Sequence, residues 1–452
     1  MSTISAPHGT SVIKNATVIT MDAQRRVLPA ATITVRDGAI ADVSAAPPEV
    51  VGDASVIDAS GAVVIPGIVN AHTHLLQVLL RGVHEELPFN EWLRNIYHLG
   101  ERLTDEHNRV SALLGCGESL LSGVTTVVEH NFLNRTEALA RSTIGGMREA
   151  GVRVAYARTA MDLGELAPAS ALETPEEAVA AVDALLGSVG TEDPMLTLMT
   201  GPNTPGVSAS DRLIVAISNH ARERGLRQSM HLAENDGVVA AVRSRFGVDG
   251  VVRWMDGLGV LDASVLAPHS VALYPDEVEI VARRGVNVSH NPVSNMFLGD
   301  GVAPIVDLAA AGANVCLGTD GAASNNAQDM IQVLKMTSLL QRVHRRDPAA
   351  VPPMEALAMA TINGARALGL DEVIGSIEPG KRADLVVIDV DTPHATVMHD
   401  PVSQVVYCVK SSDVRTVLVD GRVVVDDYGL TTMDMSEVQS AARDAAAELV
   451  HP

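Results

Sequence analysis

The chain has 452 residues, 47% of them apolar and 19% charged, so a sizeable core is available and disorder is not expected. Thirty-three Lys and Arg face 55 Asp and Glu, a formal net charge of −22, and aromatic residues make up only 2%. Such a surface repels phosphate backbones and anionic membranes and offers few stacking platforms to single-stranded nucleic acid, which leaves small neutral or cationic molecules as partners.

Cys116, Cys316 and Cys408 lie far apart with no Cys-x-x-Cys pairing, against both a disulfide framework and a thiolate zinc site. The segment Met1 to Ser11 lacks the basic and apolar regions of a secretory signal. No apolar stretch reaches membrane-spanning length without charges or turn residues, so cytoplasm is the expected compartment.

The first 60 or so residues read as short strands, among them Val12 to Thr20, Ala31 to Arg36 and Ala39 to Val43, with Asp37-Gly38 as a hairpin turn. The C-terminal part repeats that style at Ala383 to Asp389 and Val414 to Gly421. Residues 1–62 and 373–452 are therefore expected to form one small sheet domain built from both termini. Between them, residues 63–372 alternate short apolar strands with amphipathic helical stretches such as Glu91 to Leu121 and Ala327 to His344. The eight strands are Val63–Val69, Val124–Val128, Val152–Ala157, Met195–Thr200, Gln228–Leu232, Ser264–Ala267, Val286–Ser289 and Ala313–Leu317. Eight βα units predict an α/β fold of the TIM (β/α)8 type, with its working groups at the C-terminal ends of the strands.

Metal-capable residues recur at those ends. His72 and His74 stand two apart, so both imidazoles leave a strand on one face. His231 and Glu234 follow strand five, His269 strand six, His290 strand seven and Asp320 strand eight. Any one His has a structural explanation, and His290 suits a core or loop position equally well. Three His with one Asp suit a single divalent ion with a position left for water. Glu234 is placed to move protons between water and substrate, although a solvated Glu at a helix start is common. His269 either ligates a second metal or stabilises developing negative charge. Lysine occurs only at Lys14, Lys335, Lys381 and Lys410, none near a strand end, which removes a two-metal centre bridged by a carboxylated lysine.

The opening string Pro66 to His74 and the closing string Ile374 to Leu385 resemble the amidohydrolase superfamily, over nearly the whole chain. That resemblance implies a metal-dependent (β/α)8 hydrolase with a composite β-sandwich. Leu79 to Gly82, Glu91 to Leu93, Ser289 to Asn295, Gly301 to Pro304 and Gly318 to Asn326 are similar to the ATZ/TRZ group. That group includes s-triazine hydrolases and S-adenosylhomocysteine/methylthioadenosine deaminases. By this similarity His72, His74, His231 and Asp320 hold zinc, Glu234 and His269 are acid/base partners, and Asp320 also moves a proton. Glu101 falls where those deaminases place a carboxylate for ribose hydroxyls. Trp92, Asn203, His290 and Asn295 are further candidates to bind substrate, although Trp92 also reads as helix packing and Glu101 as a solvated helix carboxylate. Relatives often form dimers or larger assemblies, so a homo-oligomer is expected.

The pattern departs after strand four, where Pro202-Asn203-Thr204-Pro205 replaces Pro-His-Ser-Pro, and after His231, which is followed by Ala233-Glu234-Asn235 where Glu-Thr is commoner. Glu129-His130-Asn131 resembles relatives acting on free bases. The expected reaction is hydrolytic deamination of an amino-substituted nitrogen heteroaromatic ring: a purine, an adenosine-type nucleoside, a pterin or an s-triazine. Hydrolytic displacement of chloride from an s-triazine is the alternative, and a catalytically inactive binding or scaffold relative is the remote one.

Overall fold

Gly67 divides what the sequence suggests is one strand. In the computed structural model, which describes residues 9–45, 54–134, 136–190 and 192–450, Ala62–Pro66 belongs to a terminal sheet and Ile68–Thr73 to the barrel. The break is forced locally. A Cβ at Gly67 would meet Thr125 Oγ1 at 2.1 Å, and the Gly67 N–H donates to the Asp384 carbonyl at 2.8 Å. Hydrophobicity runs through the break unchanged, so periodicity alone cannot see it. Residues 1–8 of the N-terminal segment lie outside the described residues.

The terminal sheet has nine strands drawn from both ends of the chain. Ala62–Pro66 is at its centre, antiparallel to Leu385–Asp389 on one side and parallel to Thr10–Ile19 on the other. At the Asp37-Gly38 turn both residues have positive φ (48° and 76°), which matches the twist of the Val27–Arg36/Ala39–Ser44 hairpin.

The second sheet is an eight-stranded parallel barrel. Its strands after Ile68–Thr73 are Val124–Asn131, Arg153–Ala160, Leu196–Pro202, Arg227–Ser229, Val265–Pro268, Asn287–His290 and Asn314–Leu317. The first and last strands lie side by side. Asn70 joins them: its Oδ1 accepts from the Thr319 N–H at 3.0 Å and its Nδ2 donates to Thr319 Oγ1 at 2.8 Å. The Asp320 N–H donates to the His72 carbonyl at 2.9 Å. This is the expected TIM barrel with a small extra sheet.

The expected helix Glu91 to Leu121 is two helices, Phe89–Gly100 and Asp105–Leu121. Thr104 ends the continuity by capping the second, its Oγ1 accepting from the His107 N–H at 3.2 Å. The first helix buries Trp92, Ile96 and Tyr97 and forms one wall above the barrel mouth. Helix Met435–Val450 packs against Asp105–Leu121, with Ala442, Ala445 and Leu449 in the same apolar cluster as Trp92, Ile96 and Tyr97.

Candidate active site

Two histidines with nothing to donate to each other face across the barrel mouth. His74 Nδ1 lies 2.6 Å from the His130 carbonyl and His231 Nδ1 lies 3.1 Å from the Asn203 carbonyl. A carbonyl only accepts, so each Nδ1 carries the proton and each Nε2 presents a lone pair. Those two Nε2 atoms are 3.2 Å apart. Asp320 Oδ1 is 3.3 Å from His74 Nε2 and 3.4 Å from His72 Nε2, and neither His72 ring nitrogen has an aligned hydrogen bond in its buried position. Ring nitrogens of His72, His74 and His231 all lie within 4.8 Å of one another.

Protonation states agree with this arrangement. Burial pushes the pKa of His74 down to about 3, with the His72 charge adding to it, and burial likewise pulls His72 and His231 below the ordinary imidazole value. Burial works the other way on Asp320, yet contact with His72 and the neighbouring His269 and His74 hold its carboxyl well below the usual range. Three neutral imidazoles and one carboxylate, with convergent and unpartnered lone pairs, are a donor set that fits a divalent borderline ion.

The backbone holds these groups in unusual conformations. Ala233, His269, Ser270 and Asp320 have φ of 46°, 71°, 51° and 66°, all left-handed for non-glycine residues. Strain of this kind persists where surrounding contacts over-determine it. Ser294 Oγ donates to Asp320 Oδ2 at 2.6 Å and the Gly321 N–H donates to Oδ1 at 2.7 Å.

Glu234 and His269 stand beside this cluster. Glu234 Oε1 is 3.6 Å from His269 Nε2, which is itself 3.9 Å from Asp320 Oδ2. Burial, then the Asp320 charge, raise the Glu234 carboxyl to about 8, so without a nearby cation it is largely protonated at neutral pH. His269 Nδ1 is 2.9 Å from Asn295 Oδ1, an acceptor, so its Nε2 lone pair points back into the site.

The candidate ligands other than His72, together with Glu234 and His269, open on one cleft. His74, His231, Glu234, His269 and Asp320 form its polar end, while Phe89, Trp92, Leu93, Phe132, Val207 and Leu298 make the rest largely apolar. Of the five further binding candidates, Trp92 and Asn203 line it. Glu101 does not: it caps the end of helix Phe89–Gly100 and accepts from Ser170 Oγ at 2.6 Å. His290 is fully buried at the end of barrel strand seven, its pKa pushed to about 3 by burial and then His269. Asn295 acts through His269 rather than on the cleft.

Sequence reasoning assigned no site role to five residues that the structure brings to or beside the cleft. His130 ends barrel strand two, the same positional signal that picked out His231; its ring is 4.3 Å from that of His231, and its Nδ1 lies 2.8 Å from Ser229 Oγ. Phe89, Leu93 and Tyr97 share a helix face with Trp92 at three- and four-residue spacing, a legible stripe. Asp300 had no signal in the sequence, since it follows a seven-residue helix whose register nothing fixes.

A family model described as the amidohydrolase family matches residues 63–424. The chain belongs to the amidohydrolase family. This amidohydrolase is 39% identical over 420 residues to a 5′-deoxyadenosine deaminase of Methanothermobacter thermautotrophicus, covering 92% of this chain and 94% of that one. It is 35% identical over 443 residues to a 5-methylthioadenosine/S-adenosylhomocysteine deaminase of Pelotomaculum thermopropionicum, covering 97% and 99%. Among solved structures it is similar to an adenosine deaminase from Xanthomonas campestris with bound zinc, with a TM-score of 0.90, 28% identity and coverage of 98% and 99%. A triazine hydrolase variant gives the same TM-score at 25% identity, covering 97% and 100%. This amidohydrolase is thus an enzyme, a hydrolase of a family whose curated relatives include deaminases. No described helix is long and apolar enough to cross a membrane.

Proposed function

We propose that this amidohydrolase removes the exocyclic amino group of an adenosine-type nucleoside by hydrolysis, releasing ammonia, with one zinc ion held by His72, His74, His231 and Asp320. The carrying observation is the 3.2 Å approach of two Nε2 lone pairs, closed by the Asp320 carboxylate and opening on the same cleft as Glu234. The curated relatives' names narrow the ring from the wider heteroaromatic class to an adenine nucleoside.

A divalent ion in that donor set lowers the pKa of water toward neutrality. The chain's own residues do the rest. Glu234 takes one proton from the attacking water and delivers it to the ring nitrogen next to the amine-bearing carbon, which makes that carbon electrophilic. The water oxygen bonds to the carbon while His269 stabilises the charge that develops. Asp320 passes the second water proton to the amine, the C–N bond breaks, and ammonia leaves with a carbonyl on the ring. Trp92 and Phe132 supply apolar surface for the ring or its substituent.

An ammonia-release screen of the zinc-loaded enzyme over adenosine derivatives, aminopurines, pterins and aminotriazines tests this, and silence across the panel refutes it. Likeness to a triazine hydrolase favours the second reading, chloride displacement from an s-triazine. Chloride leaves without a proton, so Glu234→Gln lowers deamination by orders of magnitude but spares part of a dechlorination. The inactive-relative reading conflicts with an intact set of candidate ligands and Glu234. The cytoplasmic setting, the homo-oligomer and the division into 1–62 with 373–452 around 63–372 belong to the same proposal, and size-exclusion chromatography with light scattering measures the oligomer.

A further inference from the structure

We propose that Glu234, His269 and Asp300 form a second divalent-cation site beside the first, and that filling it withdraws Glu234 from proton transfer. One ligand atom from each of the three lies within 4.8 Å of the others. Glu234 Oε1 and His269 Nε2 are 3.6 Å apart, close to the ~3.4 Å between neighbouring ligands of a tetrahedral zinc with bonds near 2.1 Å.

Each donor is already oriented. Asn295 Oδ1 takes the His269 Nδ1 proton, which leaves Nε2 free. Asp300 Oδ1 accepts from Asn235 Nδ2 at 2.8 Å, while its Oδ2 is buried and unpartnered. The Glu234 side chain is only 9% exposed and makes no hydrogen bond among the described residues. Neither carboxylate is in an ion pair with Lys or Arg among the described residues, so a buried and a half-buried acid stand side by side with no Lys or Arg to neutralise them.

Helix Pro292–Leu298 ties the two sites together. Its Ser294 holds Asp320, its Asn295 side chain holds His269, and the Asn295 carbonyl accepts from the Asp300 N–H at 2.9 Å. Because the second site uses the acid/base group itself, occupancy there inhibits. The inhibitory consequence rests on the proposed function; the binding does not.

The test titrates metal-free protein with zinc by calorimetry and measures metal retained after gel filtration. Two classes of site are expected, one tight equivalent and one weaker. Asp300→Asn weakens the second class by about tenfold or more and keeps the first, which also shows that the variant is folded. Excess zinc then suppresses ammonia release by the wild type and not by Asp300→Asn. A single equivalent in the wild type, as when the two carboxyls share a proton instead, overturns the proposal. So does a second equivalent that Asp300→Asn leaves unchanged, which marks adventitious binding. If Asp300→Asn does not fold, cobalt(II) added to the wild type decides: a second equivalent brings new visible bands, and a spectrum complete at one equivalent refutes the site. A missing deaminase activity with two cation classes intact would fault the function and leave this site standing.

Discussion

Asn203 Oδ1 lies 3.1 Å from His130 Nε2, while Asn203 Nδ2 is 3.2 Å from the Tyr97 hydroxyl and 3.2 Å from Ser208 Oγ. One buried amide thus joins barrel strand two, the wall helix Phe89–Gly100 and the loop after strand four. Its backbone carbonyl also fixes the tautomer of His231. The position where the sequence departs from Pro-His-Ser-Pro is therefore filled by a cleft-lining residue whose amide is engaged with the protein at both its oxygen and its nitrogen.

Asn203→Ala leaves the His130, Tyr97 and Ser208 polar atoms short of a partner. It is expected to lower stability by about 1–3 kcal/mol, read as a fall in Tm, and to raise KM by disturbing the cleft wall. An unchanged Tm would show that water replaces the amide without cost.

Glu234→Gln keeps the shape of the side chain and removes its proton chemistry. Deamination is expected to fall by about 10²- to 10⁴-fold while one tight equivalent of zinc is retained. A variant within a few-fold of wild type would remove Glu234 from the reaction.

Glu129 gives a pH prediction of known sign. It is fully buried behind the turn after His74, where its Oε2 accepts from the Leu75 N–H at 2.6 Å, and burial raises its carboxyl to about 8. A carboxyl whose folded pKa exceeds its unfolded value near 4.5 contributes stability below 4.5 that is lost as pH rises through about 8. Metal-free protein should therefore lose on the order of a few kcal/mol between pH 5 and 8.5, and Glu129→Gln should make that slope shallower, leaving the part that Glu234 contributes with the same sign. Parallel slopes in thermal melts of the two proteins would contradict this.

Arg153 and Asp384 join the barrel to the terminal sheet, their guanidinium and carboxylate atoms meeting twice at 3.1 Å with almost no exposure. Asp384→Ala strands a buried cation, and a loss of about 3–5 kcal/mol in denaturant unfolding is expected. A loss below about 1 kcal/mol would mean that Asp420 and water suffice for Arg153.

The sequence carries the site better than it carries the walls. His72, His74, His231, His269 and Asp320 are legible because a parallel barrel puts every strand end at one mouth, so a one-dimensional pattern maps onto one place. His130 obeys the same rule, although its string reads first as a likeness to relatives acting on free bases. Substrate-facing groups are different. Glu101 and Trp92 lie in or beside one helix, yet only Trp92 turns into the cleft, because the helix ends at Gly100 and Glu101, just past it, is held by Ser170. Gly67 shows the same limit in the fold: a clash with Thr125 that the local hydrophobic pattern does not encode.

The most direct measurement is isotope tracing with the zinc-loaded enzyme on 5′-deoxyadenosine in water enriched in heavy oxygen. The account predicts one labelled oxygen per product molecule and one ammonia released for each. Ammonia without label, or chloride from a chlorotriazine with no ammonia from any adenine nucleoside, would contradict it.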